Sequence, residues 1–531
     1  MPWHFQNKAV LPAAENNSGK GFFTRQTAIW LPSPPEMISS ETDRIAQKTG
    51  EDILRIPAFQ LISEEAGKLG MATWVIGGYV RDRLLGLESK DADFVCTADC
   101  LPLAEAVAER LGVKKNLTVF SRFGTAQVKS DDWILEFVSA RKESYQSHSR
   151  KPEVEAGTLE EDQLRRDLTI NAMAVALTGA EKGRFLDPFN GLSDLKNKII
   201  RTPQDPERTF SDDPLRMLRC IRFAARLGFD IDADTFEGIR KMKSRLQIIS
   251  GERISEELNR IILSNPPSYG FKLLYYSELL NEFFPELVAL AGAENREGKS
   301  HKDNFFHTLE VLDNVAAVSN DLWLRWAAIL HDIAKPLTKR FVQGEGWTFH
   351  GHEERGARMV PKIFARLKLP LNEHMRQVEK LVRLHLRPIS LTNEAVSDSA
   401  VRRLMFEAGA DLEYLMMLCR ADVTTKNPAK ARRYLEKFDQ VEEKMAMVEE
   451  ADRLRNFQPL LTGEMIMQVF GLQPGKEIGL IKEQIREAIL EGKIRNNLPE
   501  CLFLAIQLAA PLGIQPAEDF DGAAFLDSMK A

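Results

Sequence analysis

The spacing of the apolar residues changes near Arg201, and that change decides what the chain can become. Before it, short runs with β-type spacing (Thr73–Ile76, Phe94–Cys96, Thr125–Val128 and Ile134–Val138) read as strands mixed with helices, the first helix being expected over Ile53–Leu69. After it, amphipathic helical stretches follow one another with short breaks: Asp213–Leu227, Ser250–Leu263, Phe306–Val318, Trp323–Leu330 and Ala400–Met417. The expected fold class is therefore α+β, a mixed-sheet head followed by a long all-α neck and body. At about 100–200 residues per domain, 531 residues imply several units. We expect an extension over 1–50, a head over 51–200, a helical neck over 201–290, a helical body over 291–445 and a helical tail over 446–531. The extension carries the breaker clusters Asn16-Asn17-Ser18-Gly19 and Pro32-Ser33-Pro34-Pro35 and no periodic pattern.

Composition narrows the class. The chain is 44% hydrophobic and 28% charged, as ordinary globular proteins are. Five scattered cysteines, without a CxxC pair, fit a reduced, cytoplasmic setting better than a disulfide or zinc framework. The most apolar stretch, Cys501 to Gln515, is too short for a membrane span, and the start lacks a signal-peptide core, so no membrane partner is expected. The net charge of −6 argues weakly against nucleic acid, since phosphates need local positive charge.

In the head, Trp74 to Gly86 reads as a strand, a Gly77-Gly78 turn and a short helix. Glycines there let backbone N–H groups approach a phosphate, although a plain turn would look the same. The next strand, Lys90-Asp91-Ala92-Asp93-Phe94-Val95-Cys96, puts two carboxylates on one face. Like charges side by side on an apolar strand are costly unless a cation neutralises them, and magnesium is the natural choice. A solvated strand end is the bland alternative. Glu136, one charge in the apolar run Trp133–Val138, would complete a three-carboxylate cage if its strand paired with that of Asp91 and Asp93. Farther on, Arg165 and Arg166 offer guanidinium forks for a triphosphate, and Asp167 and Asn171 are expected on one helix face. Asp213 and Arg216, one turn apart, could read the edge of a base, or form a surface ion pair.

These residues fall into motifs. Gly77-Gly78-x-Val80-Arg81-Asp82-x-Leu84-Leu85-Gly86 followed by Asp91-x-Asp93 resembles the head motif of class II tRNA nucleotidyltransferases and bacterial poly(A) polymerases. Arg165-Arg166-Asp167-Leu168-Thr169-Ile170-Asn171-Ala172, Asp187-Pro188-Phe189-x-Gly191-x-x-Asp194-Leu195 and Phe210-x-Asp212-Asp213-Pro214-Leu215-Arg216-x-Leu218-Arg219 are similar to that family's next blocks, in order. One departure is Asp212, where the family commonly has Glu. The resemblance covers about residues 55–265. It implies Asp91, Asp93 and Glu136 as catalytic carboxylates with Mg²⁺ on the two aspartates. It also implies nucleotide contacts from Gly77, Gly78, Arg81, Arg165, Arg166, Asp167, Asn171, Asp213, Arg216 and Arg219.

Seven of the nine histidines lie between His301 and His385. His331-Asp332 ends an apolar helix; with His307 upstream and Asp422 downstream it forms an imidazole and carboxylate set suited to Mn, Fe, Ni or Mg. His307…His331-Asp332-Ile333-Ala334-Lys335…Asp422 resembles the HD phosphohydrolase superfamily over roughly residues 300–430. His352 and His385 are candidates for a second metal, with a capping or core role the alternative. Bland roles are expected for His301, His350 and His374.

Together the resemblances imply addition of CMP, CMP and AMP, from CTP and ATP, to the 3′ end of tRNA, with an HD domain that hydrolyses phosphoesters. Leu461-Thr462-Gly463-Glu464 and Pro474-Gly475-x-x-Ile478-Gly479 are similar to the tail of HD-containing CCA-adding enzymes, and the acidic end Pro516–Asp521 favours tRNA over poly(A) synthesis. The rivals are A-only, CC-only or poly(A) addition, decided by a loop within Tyr145–Glu161, and a catalytically dead RNA-binding head serving an active HD domain. The basic stretches Arg240-Lys241-x-Lys243-x-Arg245 and Lys426-x-x-x-Lys430-x-Arg432-Arg433 are expected to face RNA. Oligomeric state and the role of residues 1–50 are left open.

Overall fold

The computed structural model describes residues 40–120, 124–144, 153–391, 397–425, 427–452, 459–517 and 520–528. The head is a sheet built from β1 (Thr73–Ile76), β2 (Asp91–Cys96), β3 (Leu117–Phe120), β4 (Thr125–Lys129), β5 (Ile134–Ser139), β8 (Ala174–Ala176) and β9 (Phe185–Leu186), with β6 (Arg141–Ser144) and β7 (Glu153–Ala156) paired apart as a hairpin. The strand order is β3-β4-β5-β2-β1-β8-β9. Only β2 and β5 run parallel in this sheet; the other pairs are antiparallel.

One face of the sheet carries Val75, Ala92, Phe94, Leu135 and Phe137 into the main core. Phe94 stacks on Phe137 at 5.2 Å, and Phe59 from the Pro57–Lys68 helix meets Phe94 edge-on. Burying such a ring contributes about 1.5–3 kcal/mol. The alternation of β2 that sinks Ala92 and Phe94 leaves Asp91 exposed and Asp93 half-buried on the other face.

The expected helix over Ile53–Leu69 is two helices, Ser40–Leu54 and Pro57–Lys68. Pro57 cannot donate within a helix and holds Ile56 extended, so the chain breaks there. The expected extension over 1–50 therefore ends earlier, because residues 40–54 form a helix against β8 and β9. Gly50 is required at that contact: a Cβ on it would lie 2.0 Å from the Gly183 carbonyl oxygen. Residues 1–39 lie outside the described residues.

The neck and body are helical, with minor two-stranded pairs. The expected helix Asp213–Leu227 forms over Leu215–Leu227, with Pro214 separating it from a helix that ends at Asp212, while a second expected helix is interrupted. Gly409 divides Ala400–Met417 into Asp398–Ala408 and Leu412–Ala421. The helix Gly251–Ile262 packs on both Leu215–Leu227 of the neck and Leu322–Leu330 of the body. Arg325, 1% exposed, fixes the second contact: its guanidinium donates to the carbonyls of Ile262, Ser264, Ala316 and Ser319, with no carboxylate partner among the described residues. Trp326 adds an indole N–H to Asn259 Oδ1 at 2.9 Å. All five cysteines are buried and free, and among the described residues no helix is long and apolar enough to cross a membrane.

The Asp187…Leu195 block is a brace beneath the head site. Asp187 caps the helix Gly191–Asn197 by accepting from the N–H groups of Gly191 and Leu192, and Asp194 accepts from Thr169 Oγ1 at 2.7 Å. A Cβ on Gly191 would sit 2.4 Å from the Thr169 carbonyl oxygen, which is backbone and cannot step aside. Gly191→Ala is expected to cost about 1–3 kcal/mol by overpacking. That would lower the melting temperature by several degrees, at about 2–4 °C per kcal/mol; an unchanged thermal melt would show that the brace carries no stability.

Candidate active site and metal centre

In the head, β2 and β5 pair in the register that sets Asp93 opposite Glu136. Asp91, Asp93 and Glu136 thus share the sheet face that points away from the main core, over a small second cluster of Ile76, Val95, Ala140, Leu159 and Ala174. The three carboxylates are not drawn into one tight cage, however. Among the described residues, the groups of three or more ligand atoms within 4.8 Å of one another both lie in the body. Burial pushes the Asp93 carboxyl up, and Asp91 adds to the rise, against the pull of Arg166. The face calls for a cation, and its all-oxygen donors match a hard one.

Of the two glycines, Gly77 is the one with a conformational demand. Its φ is +85°, and a Cβ would meet Arg166 Nη1 at 2.8 Å and Asp93 Oδ2 at 3.3 Å. Any side chain there would separate Arg166 from Asp93. Gly78 simply begins the helix Gly78–Leu84.

Asp167 and Asn171 do not lie on a common helix, because the preceding helix stops at Leu164 and Thr169–Asn171 is a single 3-10 turn. They still meet, with Asn171 Nδ2 donating to Asp167 Oδ1 at 3.1 Å. Arg219 Nε and Nη2 reach Asp167 Oδ2 at 2.7 Å each. Burial alone would raise the Asp167 carboxyl, but Arg219 and the bond from Asn171 hold it well below the usual carboxylate range. Arg81 is buried, donating to Asn171 Oδ1 at 2.5 Å and to Asp82, so it positions Asn171. Arg165 and Arg166 are both held by Asp162, which is fully buried and escaped the sequence reading. Its signal was the spacing of three and four residues to those arginines. Burial would raise the Asp162 carboxyl, but Arg166 and Arg165 outweigh it.

Asp213 and Arg216 do not form a pair with each other. Asp213 Oδ1 accepts from the Leu215 N–H at 3.1 Å, its Oδ2 faces Arg253 Nη2 at 3.4 Å, and Arg216 Nη1 donates to the Thr209 carbonyl at 3.3 Å. Arg253, which no motif flagged, is thus the partner of Asp213. Residues 145–152 of the loop region Tyr145–Glu161 lie outside the described residues.

The body brings every residue of its expected metal set together, each at a helix end. His307 is in the first turn of Asn304–Val318, His352 begins His352–Arg366, and His331, His385 and Asp422 follow the last residues of Leu322–Leu330, Glu373–Leu384 and Leu412–Ala421. His331, His352 and His385 each donate Nδ1–H to the carbonyl three residues back, on Ala328, Phe349 and Val382, at 2.7–2.8 Å. A carbonyl only accepts, so in the neutral rings each Nε2 carries a lone pair. All three Nε2 atoms are buried without a hydrogen-bond partner, facing a carboxylate that also only accepts. A bound metal cation would satisfy all three rings and the carboxylate at once.

Asp332 stands at its centre. Its Oδ2 lies 3.1 Å from His331 and 3.4 Å from His307, and its Oδ1 lies 3.2 Å from His352 and 4.0 Å from His385. The ligand atoms sort into two groups: His307, His331 and Asp422, and Asp332, His352 and His385. Burial disfavours charge on His307, yet hydrogen bonds to Asp332 and Asp422 outweigh it and lift its pKa to about 9. Burial and the neighbouring His331 press His385 down to about 4. His301 packs edge-on to Trp347 and Phe349, and His374 stacks on Trp323, roles that are structural.

The basic stretches differ in state. Arg240 pairs with Glu237 and Glu278, Lys241 with Glu207 and Lys243 with Glu278, so Arg240–Arg245 does not present bare cations to RNA as expected. Lys430, Arg432 and Arg433 are exposed, while Lys426 lies outside the described residues.

Comparison with known proteins agrees in order along the chain. Residues 73–201 match the family described as "Poly A polymerase head domain", 228–290 that described as "Probable RNA and SrmB- binding site of polymerase A", and 304–427 the "HD domain". The chain is 33% identical to the Multifunctional CCA protein of Shewanella frigidimarina (strain NCIMB 400), across 66% of this chain and 84% of that protein. It is 32% identical to the Multifunctional CCA protein of Tolumonas auensis (strain DSM 9187 / NBRC 110442 / TA 4), across 69% and 88%. A crystal structure of tRNA nucleotidyltransferase complexed with a primer tRNA and an incoming ATP analog is similar at a TM-score of 0.52 and 25% identity, covering 72% of this chain and 99% of that one. The CCA-adding enzyme apo form II shares the fold at a TM-score of 0.59 and 22% identity, covering 88% and 98%.

Because the folded Asp167 carboxyl lies below its unfolded value of about 3.9, its stabilisation is present above that pH and is lost as pH falls through the folded value. Arg219→Gln should therefore lower the melting temperature more at pH 7 than near pH 2, where the pair's stabilisation has largely gone. An equal loss at both pH values would show that the Asp167–Arg219 pair does not set this dependence.

Proposed function

Because the chain belongs to the multifunctional CCA protein family, we propose that its two sites divide the work between nucleotide addition in the head and phosphoester hydrolysis in the body. The head adds CMP, CMP and AMP, from CTP and ATP, to the 3′ end of tRNA. The observation that carries this reading is the in-register placement of Asp93 and Glu136, with Asp91 on the same face and Arg166 against Asp93.

In the head, Asp91 and Asp93 would hold Mg²⁺, which supplies charge neutralisation for the triphosphate and acidifies the tRNA 3′-hydroxyl. Glu136 stands beside that pair as the third carboxylate. Gly77 leaves room for the phosphates near Arg166, and Asp162 keeps Arg165 and Arg166 from swinging away. The 3′-oxygen bonds to the α-phosphorus in line, and pyrophosphate leaves with the broken P–O bond. Asp167, Asn171 and Arg219 form one network at the join of head and neck, where a ribose or phosphate edge can be held. Asp213 and Arg216 have other partners here, so reading a base edge requires them to exchange Arg253 and the Thr209 carbonyl for the incoming nucleotide.

In the body, the two ligand groups that share Asp332 as neighbour would hold divalent cations. Their imidazole-rich donors suit Mn, Ni or Fe, with Mg an alternative, and a cation bound there supplies Lewis acidity toward a phosphoester. Lys335 contacts Asp332 at 2.5 Å and keeps the carboxylate oriented.

Two measurements check the division. The double variant Asp91→Ala with Asp93→Ala should lose CMP and AMP addition to tRNA lacking its CCA, assayed with CTP, ATP or both, while keeping phosphoesterase activity. Retained addition would sink the head assignment, and the wild-type products separate CCA, CC-only, A-only and poly(A) addition. Separately, Mn²⁺ added to chelator-treated protein should raise the melting temperature, by about 2.7 kcal/mol of stability at a hundredfold excess over Kd. Asp332→Ala should abolish that rise, and an equal rise in the variant would move the metal elsewhere.

A further inference from the structure

The metal centre opens into a cavity of about 420 Å³, within the ~300–1,000 Å³ typical of small-ligand sites. Its lining extends from His307 and Asp422 to Lys302, Lys430 and Tyr434. Lys430 and Tyr434 are one turn apart on the helix Pro428–Asp452, with the ammonium 5.9 Å from the ring centroid. They follow the stretch 304–427 that matches the HD family, so the cavity wall they form lies outside that matched stretch. Lys302 donates to Thr424 Oγ1 at 3.3 Å and to the Thr424 carbonyl at 3.4 Å. Among the described residues neither Lys302 nor Lys430 forms an ion pair, whereas Lys335 in the same cavity is spent on Asp332. Two uncompensated ammonium groups and an aromatic face therefore sit in the cavity, apart from the ligands that would hold the metal.

We propose that Lys302 and Lys430 form a second-phosphate subsite and that the Tyr434 ring stacks the adjoining base, so that the HD site prefers phosphoesters carrying a second phosphate. The ligand chemistry is a phosphate one nucleotide removed from the reacting one, as at the end of a polynucleotide. This rests on the phosphohydrolase reading of the metal centre. In that hydrolysis the oxygen of water bonds to phosphorus, one P–O ester bond breaks, and the proton of water passes to the leaving hydroxyl. The second phosphate is bound and unchanged. Lysine suits it as a point charge that needs no fixed fork geometry.

The test uses the full chain loaded with Mn²⁺ and three substrates: a nucleoside 2′,3′-cyclic phosphate, the same nucleoside with an added 5′-phosphate, and a dinucleotide ending in the cyclic phosphate. kcat/KM should be about tenfold higher for both two-phosphate substrates, as expected for one charge-assisted contact. Lys430→Ala should erase most of that ratio. Tyr434→Ala should lower the dinucleotide alone, since only it has an adjoining base. A preference shared by both two-phosphate substrates supports the subsite, whereas one confined to the dinucleotide would credit the adjoining base and overturn the phosphate contact. Equal kcat/KM for all three, or a Lys430→Ala loss equal on all three, overturns the subsite. Calorimetry with a nucleoside 3′,5′-bisphosphate against the 3′-monophosphate gives a readout independent of turnover. No hydrolysis of any substrate, with tighter, Lys430-dependent binding of the bisphosphate, would sink the phosphohydrolase reading and leave the subsite standing.

Discussion

One buried carboxylate, Asp167, ties the head to the neck. Both of its oxygens are engaged, Oδ1 by Asn171 and Oδ2 by Arg219, and Asn171 is in turn fixed by the buried Arg81. A desolvated charge is tolerated only while its partner stays, and Asp167 is the desolvated member of this pair. Arg219 is therefore not free to leave, and the helix Leu215–Leu227 that carries it is held against the head. The same helix carries Arg216 and begins just after Asp213. The position of Asp213 and Arg216 relative to Asp93 is thus set by a contact that need not touch either. Phe223 stiffens the join, with the guanidiniums of Arg81 and Arg222 at 4.9 and 4.2 Å from its ring centre.

A second constraint continues the first. Along the helix Gly251–Ile262, Arg253 faces Asp213, Glu257 pairs with the buried Arg222 at 2.8 Å, Asn259 takes the Trp326 indole, and the Ile262 carbonyl takes Arg325. One helix therefore touches Asp213 at its start and the body helix Leu322–Leu330 at its end. The latter helix delivers His331 and Asp332 to the cluster of histidines and carboxylates in the body. Arg325 can bind six times without a carboxylate because it gathers carbonyls left over at helix and loop ends, which solves their hydrogen bonding and its own at once.

Much of this was legible in the sequence, for local reasons. The period of two in β2 and β5 predicts that Asp91, Asp93 and Glu136 share a face, and the register of the strands agrees. The metal set of the body was legible because histidine clustering survives without knowing the fold. What was not legible depends on contacts between distant segments. Arg253 has no motif and gains meaning only when its helix packs beside Asp213. The helix Ser40–Leu54 went unread because it docks through Thr49, Gly50 and Ile53, too few apolar positions to make a stripe. The expected helix through Asp167 and Asn171 had the contact right and the geometry wrong, since a 3-10 turn also brings those side chains together.

The charge of −6 says less about RNA than the local pairing of cations does. Cations that looked available for RNA in Arg240–Arg245 are matched by Glu207, Glu237 and Glu278, mostly at the surface. Such exposed pairs hold weakly, about 0–1 kcal/mol each, so a polyanion can displace the glutamates at little expense. A neutral-looking neck is therefore compatible with RNA binding, but each displaced carboxylate subtracts from what the phosphate gains. Cations without carboxylate partners, such as Lys302 and Lys430, carry no such cost. Whether a lysine is already paired, more than the sign of the whole chain, decides where phosphates bind most readily.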